Sequence, residues 1–442
     1  MYDASRARPT PPRALRPAHR ARCANGSREG IKRGMARRPL RGWLSGFDRL
    51  TAYNFGIDAG AAGLFAIFQG LTAPFVLVLA VQRGAHPWEI GVLTAAPCAA
   101  MLLSGWYGRL AAGRSPVSLV AWSTGLARLF ILWTGWAHDQ TTYMLSYIGF
   151  TLVSAAANPA YTAIERTIYH ERWRGRLMSG VKFVLGFCQF GATLLAGALM
   201  GRYHAGPVFT LAVAFGVASA LLFARMRPPL ARVDASTQAD AGPAPRHDPR
   251  FARLLLALML AGSGNLLVQP GYPIYQVDHL HLSDAHVAWL TAAWSLAWMC
   301  CYPLWGRVCD RRRPAHALAA GFACYLVPPV LYALGASLPG LLVAAWVQGM
   351  GDAALDCGWQ NHTMRLAEGR IGAYAGTYFT FLGIRGTLAP ILGALILSRL
   401  GLDPLFVCGT VLVLAGLLVA RRLPDSPLPA SAGALPAAVQ SA

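Results

Sequence analysis

Two aspartates stand inside a long apolar stretch of the sequence. Asp352 and Asp356 are four residues apart, and at about 1.5 Å per residue Asp352 is expected roughly 18 Å from the external end of its helix. A charged side chain at mid-bilayer depth costs roughly 2.5–3.5 kcal/mol on insertion scales, so such residues pair with a partner or carry function. Burial favours the protonated form of a carboxylate, as proton exchange requires. We hypothesise that Asp352, or Asp356 one turn deeper, exchanges a proton or contacts a cation.

Three basic residues also fall within apolar runs. Arg385 is expected at mid-depth in the next helix, where an ion pair with Asp352 is the structural alternative to a functional role. Lys182 is expected nearer one end of its helix, at a depth similar to Asp58, and snorkelling or pairing is favoured there over substrate binding. Arg128 has no obvious partner, and the sequence leaves open whether it anchors an anion or turns toward Asp352.

Four predicted helices carry polar residues at helical spacing, which places each set on one face. Any one stripe is explained by polar contacts between helices, but the four together favour a wet central cavity. The stripes are Asp58 and Gln69; Asn158, Thr162 and Glu165; Asn265, Gln269, Tyr272 and Gln276; and Gln348, Asp352, Asp356 and Gln360.

Composition indicates what positions these residues. Of the 442 residues 55% are hydrophobic and only 13% charged, against about 25% charged in soluble domains. The 39 Lys+Arg far outnumber the 19 Asp+Glu, which is typical of membrane spans joined by arginine-rich cytoplasmic loops. Because the basic residues are interleaved with apolar runs, no nucleic-acid partner is predicted.

The apolar runs predict an all-α integral membrane protein with twelve transmembrane helices of about 20 residues each. Pro270 and Pro273 predict a break in the seventh helix, because proline removes backbone donors. The predicted spans are 56–81, 88–108, 116–136, 141–164, 177–200, 207–225, 252–277, 285–305, 315–335, 340–361, 373–397 and 404–421.

The spans divide into two six-helix halves. A basic disordered tail is predicted at 1–50, with Met35 as an alternative start, then an N-terminal half at 51–225 and a flexible linker at 226–250. A C-terminal half follows at 251–422, with a disordered tail at 423–442. Loops after even-numbered spans hold most arginines, so both termini are predicted to be cytoplasmic, in a plasma (inner) membrane.

The two halves repeat in parallel. Leu93–Ala96 recurs about 197 residues later as Leu290–Ala293, and Gly108-Arg109 matches Gly306-Arg307. Gly306, Asp310 and Arg311 form a G-x-x-x-D-R loop between the eighth and ninth spans. With the span count, the linker and the parallel repeat, this motif resembles the major facilitator superfamily over residues 50–422.

The resemblance implies that helices one, four, seven and ten line the cavity, which are the helices that carry the polar stripes. It also implies a secondary transporter for a small-molecule substrate in the lipid bilayer, working as a monomer without a cofactor or metal. No phosphate-binding, HExxH or GxSxG motif suggests an enzyme. A membrane sensor or receptor on the same scaffold is the alternative.

The loop motif predicts an asymmetric cytoplasmic gate. In the family this loop latches helix ends through its aspartate, and the first copy keeps Gly108 but has Ala112 in the aspartate position and Gly113 in the arginine position. We therefore expect Asp310→Asn to impair transport strongly and conservative changes at Ala112 or Gly113 to have little effect. Equal losses in both loops, measured as flux in proteoliposomes, would contradict the asymmetry.

Overall fold

The structure, a computed structural model, describes residues 48–111, 115–169, 171–227, 248–311, 314–366 and 371–423. From Tyr53 onward the described chain forms one compact unit, and its regular structure is helical throughout. The helices are α1 Arg49–Gln82, α2 Pro87–Leu102, α3 Ser104–Ala111, α4 Pro116–Trp136, α5 Gln140–Ala155, α6 Ala157–Ile168, α7 Glu171–Met200, α8 Ala205–Phe223, α9 Pro249–Val268, α10 Gly271–Ile274, α11 Asp284–Arg311, α12 Pro314–Ala333, α13 Leu338–Leu366, α14 Ile371–Leu400 and α15 Leu402–Ala420.

The prediction of an all-α integral membrane fold is confirmed. Within the described ranges ten helical segments are long and apolar enough to cross a bilayer. The other two predicted spans coincide with interrupted helices, α2–α3 and α5–α6, broken at Leu103 and Ala156. The terminal tails beyond 48–423 and most of the predicted linker, 228–247, lie outside the described residues.

A tyrosine hydroxyl supplies a hydrogen-bond donor where the fourth predicted span is interrupted. At the break the backbone N–H of Ala156 donates to Ser154 and Val153, so the carbonyl of Leu152 loses its usual helical donor. The hydroxyl of Tyr107, on α3, donates to that carbonyl oxygen at 2.6 Å. The two interrupted helices are therefore fastened to each other close to their breaks.

The seventh predicted span is broken where its prolines predict. Helix α9 ends at Val268, the short α10 follows Pro270, and Tyr275–His279 forms a π-helix. Because a π turn changes the rotation per residue, side chains after the break face a different direction from those before it.

Loop carboxylates cap several helices. Asp139 accepts from the backbone N–H of Thr142 at 2.7 Å, and this bond holds the pKa of Asp139 below its usual range. Asp248 accepts from the N–H of Arg250 at 2.9 Å and from the hydroxyl of Tyr374 at 3.0 Å, which ties the start of α9 to α14. Each bond satisfies a donor that a helix start leaves free.

Helices assigned to different predicted halves meet along α2–α14 and α7–α11. At Gly91 an added Cβ would collide with Ala394 and lie 3.1 Å from the Pro390 carbonyl. At Gly197 it would collide with Ala288. Inside a bilayer the hydrophobic effect does not drive helices together. Small residues stabilise their association instead, because they let the helix backbones approach closely.

The α9–α15 contact provides a stability test. A Cβ at Gly416 would lie 2.6 Å from the Cβ of Ala261 and 2.9 Å from the Ala257 carbonyl. We expect Gly416→Leu to destabilise the protein by about 1–3 kcal/mol through overpacking, seen as a lower melting temperature in detergent. Gly191→Ala, where an added Cβ meets nothing within 4 Å, is the control and should be neutral or stabilising. Equal melting temperatures for the two variants would contradict this packing.

Candidate functional site

Two aspartates on α13 accept hydrogen bonds from two tryptophans on α11. Trp294 Nε1 donates to Asp352 Oδ2 at 2.6 Å, and Trp298 Nε1 donates to Asp356 Oδ2 at 3.2 Å. The hydroxyl of Tyr325, on α12, donates to the other carboxylate oxygen of Asp352. Both pairs are spaced by one helical turn, so the bonds form two successive rungs between parallel helices.

Two glycines before Asp352 bring its helix close to both neighbours. A Cβ at Gly349 would lie 3.1 Å from the Cβ of Ala297 on α11 and would collide with the Trp294 carbonyl. At Gly351 it would lie 3.2 Å from the Tyr325 ring on α12. The sequence Gly349-Met350-Gly351-Asp352 thus places the carboxylate within reach of its indole and phenol donors.

Polar residues of the seventh predicted span divide between two environments. Before the break, Asn265 accepts from Gln348 Nε2 at 3.1 Å, which joins α9 to α13. After the break, Gln276 donates to the Tyr332 hydroxyl at 2.7 Å, and the centroid of the Tyr272 ring lies 4.4 Å from that of Tyr332, with the two rings tilted by 39°. The structure thus directs Gln276 and Tyr272 toward α12, while half-buried Gln269 lies at the break itself.

Arg385 does not use Asp352 as its partner. Its guanidinium lies against Gly262 on α9, where an added Cβ would overlap it, and Nη1 donates to the carbonyl oxygen of Leu258. The ion pair considered from depth alone is therefore replaced by a hydrogen bond to the α9 backbone. Depth along the bilayer normal was similar, but the side chain points to a different helix.

Arg128 adopts a comparable arrangement on α4. Its Nη1 donates to the carbonyl oxygen of Gly216 on α8, and its guanidinium lies 5.5 Å and 5.6 Å from the ring centroids of Phe65 and Phe68. The side chain is only 3% exposed. Arg128 thus turns toward α8 and α1, and aromatic faces stabilise its charge.

Asp58 on α1 is buried and held by two phenols. The Tyr169 hydroxyl donates to one carboxylate oxygen at 2.6 Å and the Tyr161 hydroxyl to the other at 3.3 Å. Lys182, on α7, is exposed, and its charge acts on Asp58 and on Asp356 of α13. One lysine therefore lies within electrostatic range of carboxylates in both predicted halves.

For the remaining predicted site residues the structure gives only their exposure, or does not describe the side chain. Gln69 is half-buried on α1 and Asn158 is exposed on α6. Gly108 and Gly306 both face open space. The side chains of Thr162, Asp310 and Arg311 lie outside the described part of the structure, as do Ala112 and Gly113.

Sequence reasoning missed the donors that hold the carboxylates. Trp294 and Trp298 share the four-residue spacing of Asp352 and Asp356, and that match between two predicted spans was an available signal. Tyr169 had no comparable signal, because it lies at the end of α6, between two helices.

The helical architecture and apolar composition define a multi-pass membrane protein. The Major Facilitator Superfamily profile matches residues 254–440. A solved variant of the nucleoside transporter NupG is similar with a TM-score of 0.63 at 12% identity, over 83% of this chain and 98% of that one. A bacterial homologue of the human lysosomal transporter Spinster, inward-facing and occupied, is similar with a TM-score of 0.63 at 14% identity, over 89% of this chain and 100% of that one.

No curated protein sequence matches the chain. The C-terminal part of the chain therefore resembles the major facilitator superfamily in sequence, and the fold of these transporters is shared over most of its length. The match to this family model supports a secondary transporter.

The fit of Arg385 against Gly262 gives a testable consequence. We expect Gly262→Ala to lower the melting temperature in detergent, by the equivalent of about 1–3 kcal/mol, because the added methyl displaces a guanidinium. Combining it with Arg385→Met should recover much of that loss, since the Leu258 carbonyl can still bond within its own helix. Failure of the double variant to recover would contradict the proposed steric cause.

Proposed function

We propose that this chain is a secondary active transporter that moves a small solute across the plasma membrane by alternating access. In this proposal residues 51–225 and 251–422 rock against each other as two six-helix halves, with both termini cytoplasmic, and a monomer suffices. The glycine contacts along α2–α14 and α7–α11 support it, because small residues allow helices to slide and tilt at short separation.

The observation that carries the proposal is the carboxylate of Asp352 between Trp294 and Tyr325. Both donors are neutral groups and do not cancel the charge of the carboxylate. Asp352 can therefore be either ionised or protonated, depending on conditions. When Asp352 is protonated it becomes a donor, and the Tyr325 hydroxyl can reverse its role and accept. The same three side chains therefore accommodate both states of a proton carrier without rearrangement of the helices.

The site residues suit an amphipathic or cationic organic solute. The indoles of Trp294 and Trp298 stand beside two carboxylates, and the Trp298 ring lies 5.2 Å from that of Tyr302. Aromatic faces bind organic cations through their ring electrons, and carboxylates supply the opposite charge. Gln348, on the same helix as the carboxylates, and Asn265, on α9, add amide groups.

A sensor or receptor on this scaffold would bind a ligand without moving it. The decisive comparison is ligand-induced stabilisation of the purified protein at two pH values, followed by flux of each stabilising compound in proteoliposomes. Binding with no net flux would favour the receptor and contradict the transporter.

The proton role is tested by Asp352→Asn and Asp356→Asn. We expect Asp352→Asn to retain solute binding but to lose the dependence of flux on external pH, because an amide cannot exchange the coupling proton. Asp139→Asn is the control, since asparagine also caps helices and the site is distant in sequence. Flux would be followed together with a pH dye trapped in the proteoliposomes. Unchanged pH-dependent transport in both Asp352→Asn and Asp356→Asn would contradict proton coupling at these residues.

A further inference from the structure

Lys182 is chemically unusual in this chain. The sequence has 39 Lys+Arg, yet only Lys32 and Lys182 are lysines. Lysine carries a compact ammonium on a flexible stem, whereas arginine carries a planar group suited to fixed, bidentate contacts. Arg128, which is buried, and Arg385, which is half-buried, are fixed to backbone carbonyls. The exposed Lys182 stands where a mobile charge is more useful than a fixed one.

Helix α7 brings Lys182 between two carboxylates. On one side Val184 packs against Gly63 of α1, with Cγ1 3.3 Å from where a Cβ would stand, five residues beyond Asp58. On the other side Gly186, one turn after Lys182, packs against Met299 of α11, whose Sδ would lie 3.6 Å from an added Cβ. The α1 contact thus places Lys182 near Asp58.

The α11 contact places it near Asp356. Met299 follows Trp298, which donates to Asp356. The charge of Lys182 accordingly acts on both Asp58 and Asp356. Each carboxylate also has a neutral donor of its own, Tyr169 or Trp298, so neither depends on the lysine alone to remain in place.

We propose that Lys182 is a tethered counter-cation that occupies the space between Asp58 and Asp356 until a cationic solute displaces it. The inference rests on the proposed transport function, because it concerns the same cavity. An incoming cation can replace the ammonium with no net change in charge between the carboxylates, whereas an anion cannot. Since Asp58 and Asp356 belong to different predicted halves, the exchange also changes which groups hold the halves together.

Equilibrium binding of tetraphenylphosphonium, a permanent aromatic cation, to the purified full-length chain tests this inference. We expect Lys182→Gln to tighten its binding about tenfold, because the internal competitor is removed. Lys182→Arg keeps the charge and should bind as the wild type does. Adding Asp356→Asn to Lys182→Gln should abolish the gain. Binding of triphenylphosphine oxide, a neutral analogue, should be equal in all variants.

Unchanged or weaker tetraphenylphosphonium binding by Lys182→Gln would overturn the inference, as would an equal gain after Asp356→Asn is added. If Lys182→Gln does not fold, the single variant Asp356→Asn decides, and it must weaken cation binding. The binding readout needs neither flux nor a proton gradient. The pH dependence of flux therefore tests the proposed transport function, and the binding of the cation tests the role of Lys182. Failure of one proposal can thus be distinguished from failure of the other.

Discussion

Everything in this structure depends on the cost of placing charge inside a bilayer. A charged group there must find donors, acceptors or aromatic faces among neighbouring helices, because lipid tails offer none. Asp352, Asp58, Arg128 and Arg385 all do so with neutral partners: an indole, phenols and backbone carbonyls. Neutral partners leave the charge uncancelled and free to act on a solute or a proton.

Close helix approach is what makes those partners reachable. The guanidiniums of Arg128 and Arg385 occupy space that Gly216 and Gly262 leave empty. Gly349 lets α13 approach the backbone beside Trp294, so that Asp352 reaches the indole. The positions of the glycines and of the charged residues are therefore matched: a small residue on one helix provides room for a polar group on the next. This explains why a sequence so rich in glycine forms well-packed helices despite the low helix propensity of that residue.

The sequence predicted the fold well because span length and apolar composition can be read directly from the order of residues along the chain. Helix α4 covers Pro116–Trp136, the same residues as the predicted third span. The site was harder, since depth in the bilayer says nothing about direction around a helix axis. Arg385 and Asp352 are expected at a similar depth, yet Arg385 turns to α9. Beyond the break after Val268, Gln276 likewise reaches Tyr332 on α12, whereas Asn265 before the break contacts Gln348 on α13. The prolines predict the break but not the directions of the side chains on either side of it.

The two aspartates of α13 lie one helical turn apart in different surroundings. Asp352 is enclosed by Trp294 of α11 and Tyr325 of α12, both within the C-terminal part of the chain. Asp356 has a single indole donor and lies within the field of Lys182 on α7, in the N-terminal part. An enclosed carboxylate with reversible neutral partners suits a proton. Under the proposal above, a carboxylate close to a mobile ammonium suits a solute cation. One turn of helix separates the two, so occupation of either site changes the electrostatic cost of occupying the other.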